Sequence, residues 1–128
     1  MVADIEYAIT LWLRGRHPGV RVVNELPSDL EKTLPLLCAY VLPGGADDGV
    51  STDAVLDLQA FAGTRGAMWV LADSAHESML AAVGQYVGGL VIDSVSTDVA
   101  PGFVTYNNPA VRRAVGTYRL TRRAPVRA

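Results

Sequence analysis

Val55-Leu56-Asp57-Leu58-Gln59-Ala60-Phe61-Ala62-Gly63-Thr64 decides the fold. Leu56, Leu58, Ala60 and Ala62 alternate with Val55, Asp57, Gln59 and Phe61, so side chains two apart share a face, as in a strand with one wholly apolar side and one mixed side. Gly63 and Thr64 then break the alternation, and the apolar period changes from two to about 3.6. Met68, Leu71, Ala72, Ala75, Met79, Ala82, Val83 and Tyr86 fall on one helical stripe, with Gly88 and Gly89 expected to stop the helix. A half-buried strand running straight into an amphipathic helix calls for a sheet with a helix packed on it.

Working outward, Ile5, Ala8, Ile9, Trp12 and Leu13 have helical spacing, which predicts a first helix with Asp4 at its start and Gly15 and Pro18 at its end. His17 is expected to be a solvated group at that C-terminus. A strand follows from about Val20 to Glu25. The apolar run Leu36 to Leu42, bounded by prolines, reads as a strand buried on both faces and as the centre of the sheet. Pro43 to Gly49 reads as a mobile polar loop. Toward the C-terminus, Leu90 to Val99 predicts a strand, Pro101 to Pro109 a loop, and Val111 to Arg123 a long final strand. In that strand Ala114, Gly116, Tyr118 and Leu120 share one face, and Arg113, Val115, Thr117, Arg119, Thr121 and Arg123 the other. The expected fold is α+β, a single domain over residues 1–123. Its mixed sheet has four or five strands and two helices in the order α-β-β-β-α-β-β, and a basic extension over 124–128 is expected to be disordered.

Composition excludes several classes. Half of the 128 residues are apolar, 19% are charged and the mean hydropathy is +0.23, which is too apolar for intrinsic disorder. The longest uncharged stretch, Ser78 to Ile92, is interrupted by Gln85 and glycines and falls short of the roughly 20 apolar residues of a membrane helix. Asp4 and Glu6 stand where a secretory leader would be apolar. The single cysteine, Cys38, forms no internal disulfide and reads as a packed thiol in a cytoplasmic setting. The net charge of -2 divides sharply: residues 1–111 carry -8, whereas residues 112–128 carry six arginines and no acid. Segregated charge of this kind suits nucleic acid or an acidic protein surface.

Candidate chemistry is sparse. Asp73, Ser74, His76 and Glu77 have the residue types of a nucleophilic triad, but Ser74 and His76 are about 200° apart around a helix and cannot share a hydrogen bond. Asp47, Asp48, Asp53 and Asp57 lack the spacing and closing glutamate of a calcium loop. The Gly63-Thr64-Arg65-Gly66 turn lacks the Lys-Ser/Thr of a phosphate loop. No catalytic, metal or cofactor site is expected. Trp69, His76, Leu80 and Val87 fall on a helix flank beside the core stripe, placed to meet another subunit.

The ordered layout resembles the tail terminator proteins of long-tailed bacterial viruses, especially those of actinobacteria. The resemblance spans nearly the whole chain. It rests on Asp4-Ile5-Glu6 leading to Trp12-Leu13, Val20-Arg21-Val22 followed by Glu25-Leu26-Pro27, the Leu42-Pro43-Gly44-Gly45 segment, and Val55 to Ala62 leading through Gly63 to an alanine-rich helix. It continues in Val91-Ile92-Asp93-Ser94-Val95, Asn107-Asn108-Pro109 and Tyr118-Arg119-Leu120-Thr121-Arg122, while Gly66-Ala67-Met68 departs from the family's more polar pattern. The resemblance implies a non-enzymatic, cofactor-free virion protein, assembled in the bacterial cytoplasm at the head-proximal end of the tail. It also implies a six-membered ring that caps the tail tube, docks the head connector and lets DNA pass without gripping it. Two contacts are expected: Arg113, Arg119, Arg122 and Arg123 reaching Asp47 and Asp48 of a neighbour or the tube end, and an apolar contact through Trp69, Leu80 and Val87. The alternatives are a head-tail connector or neck protein of the same virion, and a small-ligand or nucleic-acid binding module.

Overall fold

The structure is a computed structural model that describes residues 3–47 and 51–123. Helix α1 (Ala3–Arg16) and helix α2 (Arg65–Ala81) pack on a mixed sheet of strands β1 (Arg21–Val23), β2 (Leu36–Asp47), β3 (Ser51–Ala62), β4 (Tyr86–Val87), β5 (Leu90–Phe103) and β6 (Arg112–Arg123). The α+β class is as the sequence predicts, with six strands where four or five are expected. The spatial order is β1-β2-β3-β6-β5-β4; β1 runs parallel to β2 and every other pair is antiparallel. The centre of the sheet is therefore β3 and β6, and β2 lies second from an edge. Its apolar run still meets two hydrophobic clusters, Leu37 and Ala39 on one face and Leu36 and Cys38 on the other.

Both helices bury their predicted stripes on the same face. Ile5, Ala8, Ile9 and Leu13 of α1 and Met68, Leu71, Ala72, Ala75 and Met79 of α2 close over Leu56, Leu58, Ala60, Ala114, Tyr118 and Leu120 of the sheet. Register explains the close fit under α2: Ala60 lies opposite Ala114 and Leu58 opposite Gly116, so small side chains leave room for the helix. A smaller cluster of Leu30, Leu36, Cys38, Phe61 and Val111 lies on the helix-free face. Thr64 caps α2 by accepting a hydrogen bond from Ala67 N at 3.2 Å.

Several segments differ from their sequence reading. Helix α2 ends at Ala81, so Val83 and Tyr86 leave the core stripe and are 46% and 67% exposed. The chain there turns onto β5, with Gly84 N donating to Ile92 O and Ile92 N to Gln85 O. Gly88 and Gly89, both at positive φ, make the two-residue turn of the β4–β5 hairpin and do not stop the helix. The segment beginning at Pro43 continues β2 through Asp47. A register shift between Leu42 and Ala46 absorbs the irregularity, and only glycine fits at position 45, where φ is +82° and a Cβ would run into Asp53 O. Strand β5 likewise persists to Phe103 through three register shifts, past Pro101.

His17 is buried, contrary to the solvated reading. Its Nε2 lies 2.8 Å from Ser78 Oγ of α2, because the turn after α1 directs the ring between the helices.

Candidate assembly surface

The alternation of β6 sends Arg113, Thr117, Arg119 and Arg123 to the helix-free face, where β3 and β5 supply carboxylates. Arg119 Nη2 donates to Asp98 Oδ2 at 3.2 Å and Nη1 to Asp53 Oδ2 at 3.5 Å. Arg123 Nε lies 2.8 and 3.0 Å from the two oxygens of Asp93, which raises the guanidinium pKa above its ordinary value. Arg113 Nη2 donates to Thr105 O at 2.9 Å, with the guanidinium over the Tyr106 ring. These three arginines thus have partners within the chain. Arg122 belongs to the opposite face by the same alternation: it is buried and lies 3.7 Å from Asp4. Asp47 ends β2, its side chain lies outside the described residues, and so do Asp48 and residues 124–128.

Beside the arginines lies a polar cluster that sequence reading passes over. Asp57 and Gln59 are buried on the mixed side of β3. Gln59 Nε2 donates to Asp57 Oδ2 at 2.9 Å and to Tyr40 Oη at 3.0 Å, and Thr117 Oγ1 lies 3.4 Å from Asp57 Oδ1. Burial, reinforced by the nearby Asp57, pushes the Tyr40 hydroxyl up to about 12 and the Cys38 thiol up to about 11. A carboxylate inside a strand's alternation is the signal for this cluster. Asp53 and Asp57 have different partners, and no group of three metal-ligating side chains occurs among the described residues.

The predicted flank of α2 does not come together as one exposed strip. Trp69 is partly buried against the main core, and so is Val87, which lies in β4. His76 Nδ1 lies 2.7 Å from Tyr118 Oη, satisfying the hydroxyl of a fully buried side chain. Leu80 is 45% exposed. Other exposed apolar groups nearby are Val70 of α2, Val83 and Tyr86, which follow the end of α2, and Tyr7, which packs beside Gly88 of the hairpin.

Among the described residues a serine-histidine contact joins Ser78 and His17, but Ser78 is buried and its hydroxyl already accepts from Arg16 Nε at 3.0 Å. A substrate carbonyl has no approach to that oxygen. A depression of about 430 Å³ beside Tyr106, Asn107 and Asn108 is open and holds no paired acid and base.

No protein-family model and no curated protein matches this chain. Its fold does match solved structures. A chain in the virion of a native gene transfer agent (GTA) particle superposes with a TM-score of 0.68 at 12% identity, covering 96% of this chain and 98% of that one. A second solved protein superposes with a TM-score of 0.50 at 18% identity, covering 98% of this chain and 94% of the other. At these identities the likeness is one of fold, and it extends from end to end.

Proposed function

We propose that this chain is a structural protein of a phage-like particle and, more finely, the tail terminator. The observation that carries the reading is the end-to-end superposition on a component of a gene transfer agent virion, with almost nothing left over on either chain. The family resemblance in the sequence, drawn from different information, supports the same assignment. A tail tube grows because each layer exposes the same adhesive end, and growth stops when a ring binds that end without reproducing it. This work needs shape and differential binding and involves no bond-making step.

In this reading six copies form the ring, one side meets the tube protein, and the other meets the head connector at the head-proximal end of the tail. DNA passes through the pore. The in-chain pairing of Arg119 and Arg123 with Asp53, Asp98 and Asp93 suits such passage, because neutralised arginines offer little to phosphates. The exposed apolar end of α2, with Leu80 in its last turn, is the proposed protein contact, while Trp69 and Val87, packed on the core, and His76, held by Tyr118, flank it along the helix and hairpin. The second proposed contact is between Arg113 of one copy and Asp47 and Asp48 of the next, whereas Arg122, 3.7 Å from Asp4, ties the start of α1 to the sheet.

The test mixes purified protein with polymerising tube subunits of the same virus and images the product by negative-stain electron microscopy. Shortened tubes with capped ends support termination. Unaltered tubes, with binding to the head-side connector instead, would transfer the chain to the neck.

A further inference from the structure

We propose that His17, Arg16 and Ser78 form an acid-released latch between α1 and α2. The last turn of α1 makes three contacts with a single residue of α2. Trp12 Nε1 donates to Ser78 O at 2.7 Å, Arg16 Nε donates to Ser78 Oγ at 3.0 Å, and His17 Nε2 lies 2.8 Å from the same oxygen. The Arg16 guanidinium also stacks over the Trp12 ring at 5.1 Å. Arg16 can only donate, and with the His17 proton on Nδ1 the hydrogen of Ser78 is directed to Nε2; the latch takes this neutral tautomer, in which Nε2 is the acceptor. The junction holds together with a neutral imidazole.

Protonation reverses this arrangement. Nε2 becomes a donor, the Ser78 hydrogen loses its acceptor, and a second cation forms beside Arg16. Nothing nearby offsets that charge. The ring touches Ser78, and the groove it lines is bounded by Ser74 of α2 and by Val20, Pro35 and Ala62, none of which ionises. The acids of this part of α2, Asp73 and Glu77, are on its exposed side. Burial first, and Arg16 second, hold His17 below its ordinary value of 6.5. The ring also lines an apolar groove of about 390 Å³ with Val70 and Leu71, so release of the latch widens the groove.

Amide hydrogen exchange of the full chain, corrected for intrinsic rates, tests the latch between pH 7.5 and 5. The expected result is opening confined to the last turn of α1, rising below pH 6.5 by up to about tenfold per pH unit, and absent from His17→Gln. Unchanged protection, or the same opening in His17→Gln, overturns the proposal. Should His17→Gln fail to fold, the ring resonances of the native protein decide. Opening that tracks His17 supports the latch, and opening that tracks His76 or spreads over the whole sheet refutes it.

Discussion

Trp12 of α1 caps the final turn of α2 through Ser78: its indole N–H reaches the Ser78 carbonyl at 2.7 Å, while Ala82 N turns instead to Met79 O. A helix end needs partners for its last carbonyls, and here one comes from the neighbouring helix. Trp12→Phe keeps most of the ring and removes the donor. We expect a loss of about 1 to 2 kcal/mol in urea unfolding, with the slope of the transition unchanged.

The contact between His76 and Tyr118 ties α2 to the centre of the sheet. Tyr118→Phe should cost about 1 to 2 kcal/mol, because it leaves a ring nitrogen of His76 without its partner. In a double-mutant cycle with His76→Gln, the two losses should be clearly less than additive. Additive losses would mean the pair does not interact in solution.

Alkaline stability follows from two buried groups, Tyr118 and Cys38, and one half-buried group, Tyr40. Tyr118 and Tyr40 are pushed up from 10 to about 12 and Cys38 from 9 to about 11, all with burial as the leading cause. The unfolded chain loses these protons first, so the stabilisation is complete below pH 9 and declines as pH rises through 9 to 12. Cys38→Ala should flatten the part of this decline between pH 9 and 11, and Tyr118→Phe the part between 10 and 12. Both are read from denaturation midpoints across pH.

Gly88 combines φ of +61° with a close approach of the hairpin to Ala8 and Tyr7 of α1. Gly88→Ala adds left-handed strain and a contact of 3.1 Å with the Ala8 backbone. A destabilisation of about 1 to 3 kcal/mol is expected, whereas Gly15→Ala, in open space within α1, should be neutral or stabilising. Thermal unfolding of the two variants compares them directly.

The apolar end of α2 separates stability from assembly. Leu80 and Tyr86 are exposed, so Leu80→Lys, a good helix former whose charge suits the last turn of α2, and Tyr86→Asp should change folding stability by no more than about 1 kcal/mol. Both should impair ring formation and tube capping in the electron-microscopy assay. Arg119→Glu with Arg123→Glu addresses the charged face separately. These pairs are exposed and screened by solvent, so a loss of assembly with the thermal unfolding midpoint unchanged would report a contact between subunits.

How much of this was legible in the sequence depends on where local pattern and tertiary pairing agree. Both helices and the long strands were readable because their apolar periods coincide with the buried face. The β4–β5 hairpin was hidden because Val83 and Tyr86 continue the helical period after the helix has ended, and only the pairing with β5 diverts them. The continuation of β2 past Pro43 was hidden for a related reason: two glycines that resemble a loop serve as a register shift against β3. At the candidate surfaces, the alternation of β6 placed Arg113, Arg119 and Arg123 on one face, but Arg122 belonged to the other by the same rule. The partners of these arginines, and the burial of His17, depend on residues distant in sequence and leave no local trace.

The central claim is that the chain acts by fitting copies of itself to the end of a tube. Its most direct test is the tail-length distribution, by electron microscopy, of particles produced without this chain. Abnormally long, variable tails unattached to heads are expected, restored to one length when the chain is supplied in trans. Tails of uniform normal length joined to filled heads would contradict it.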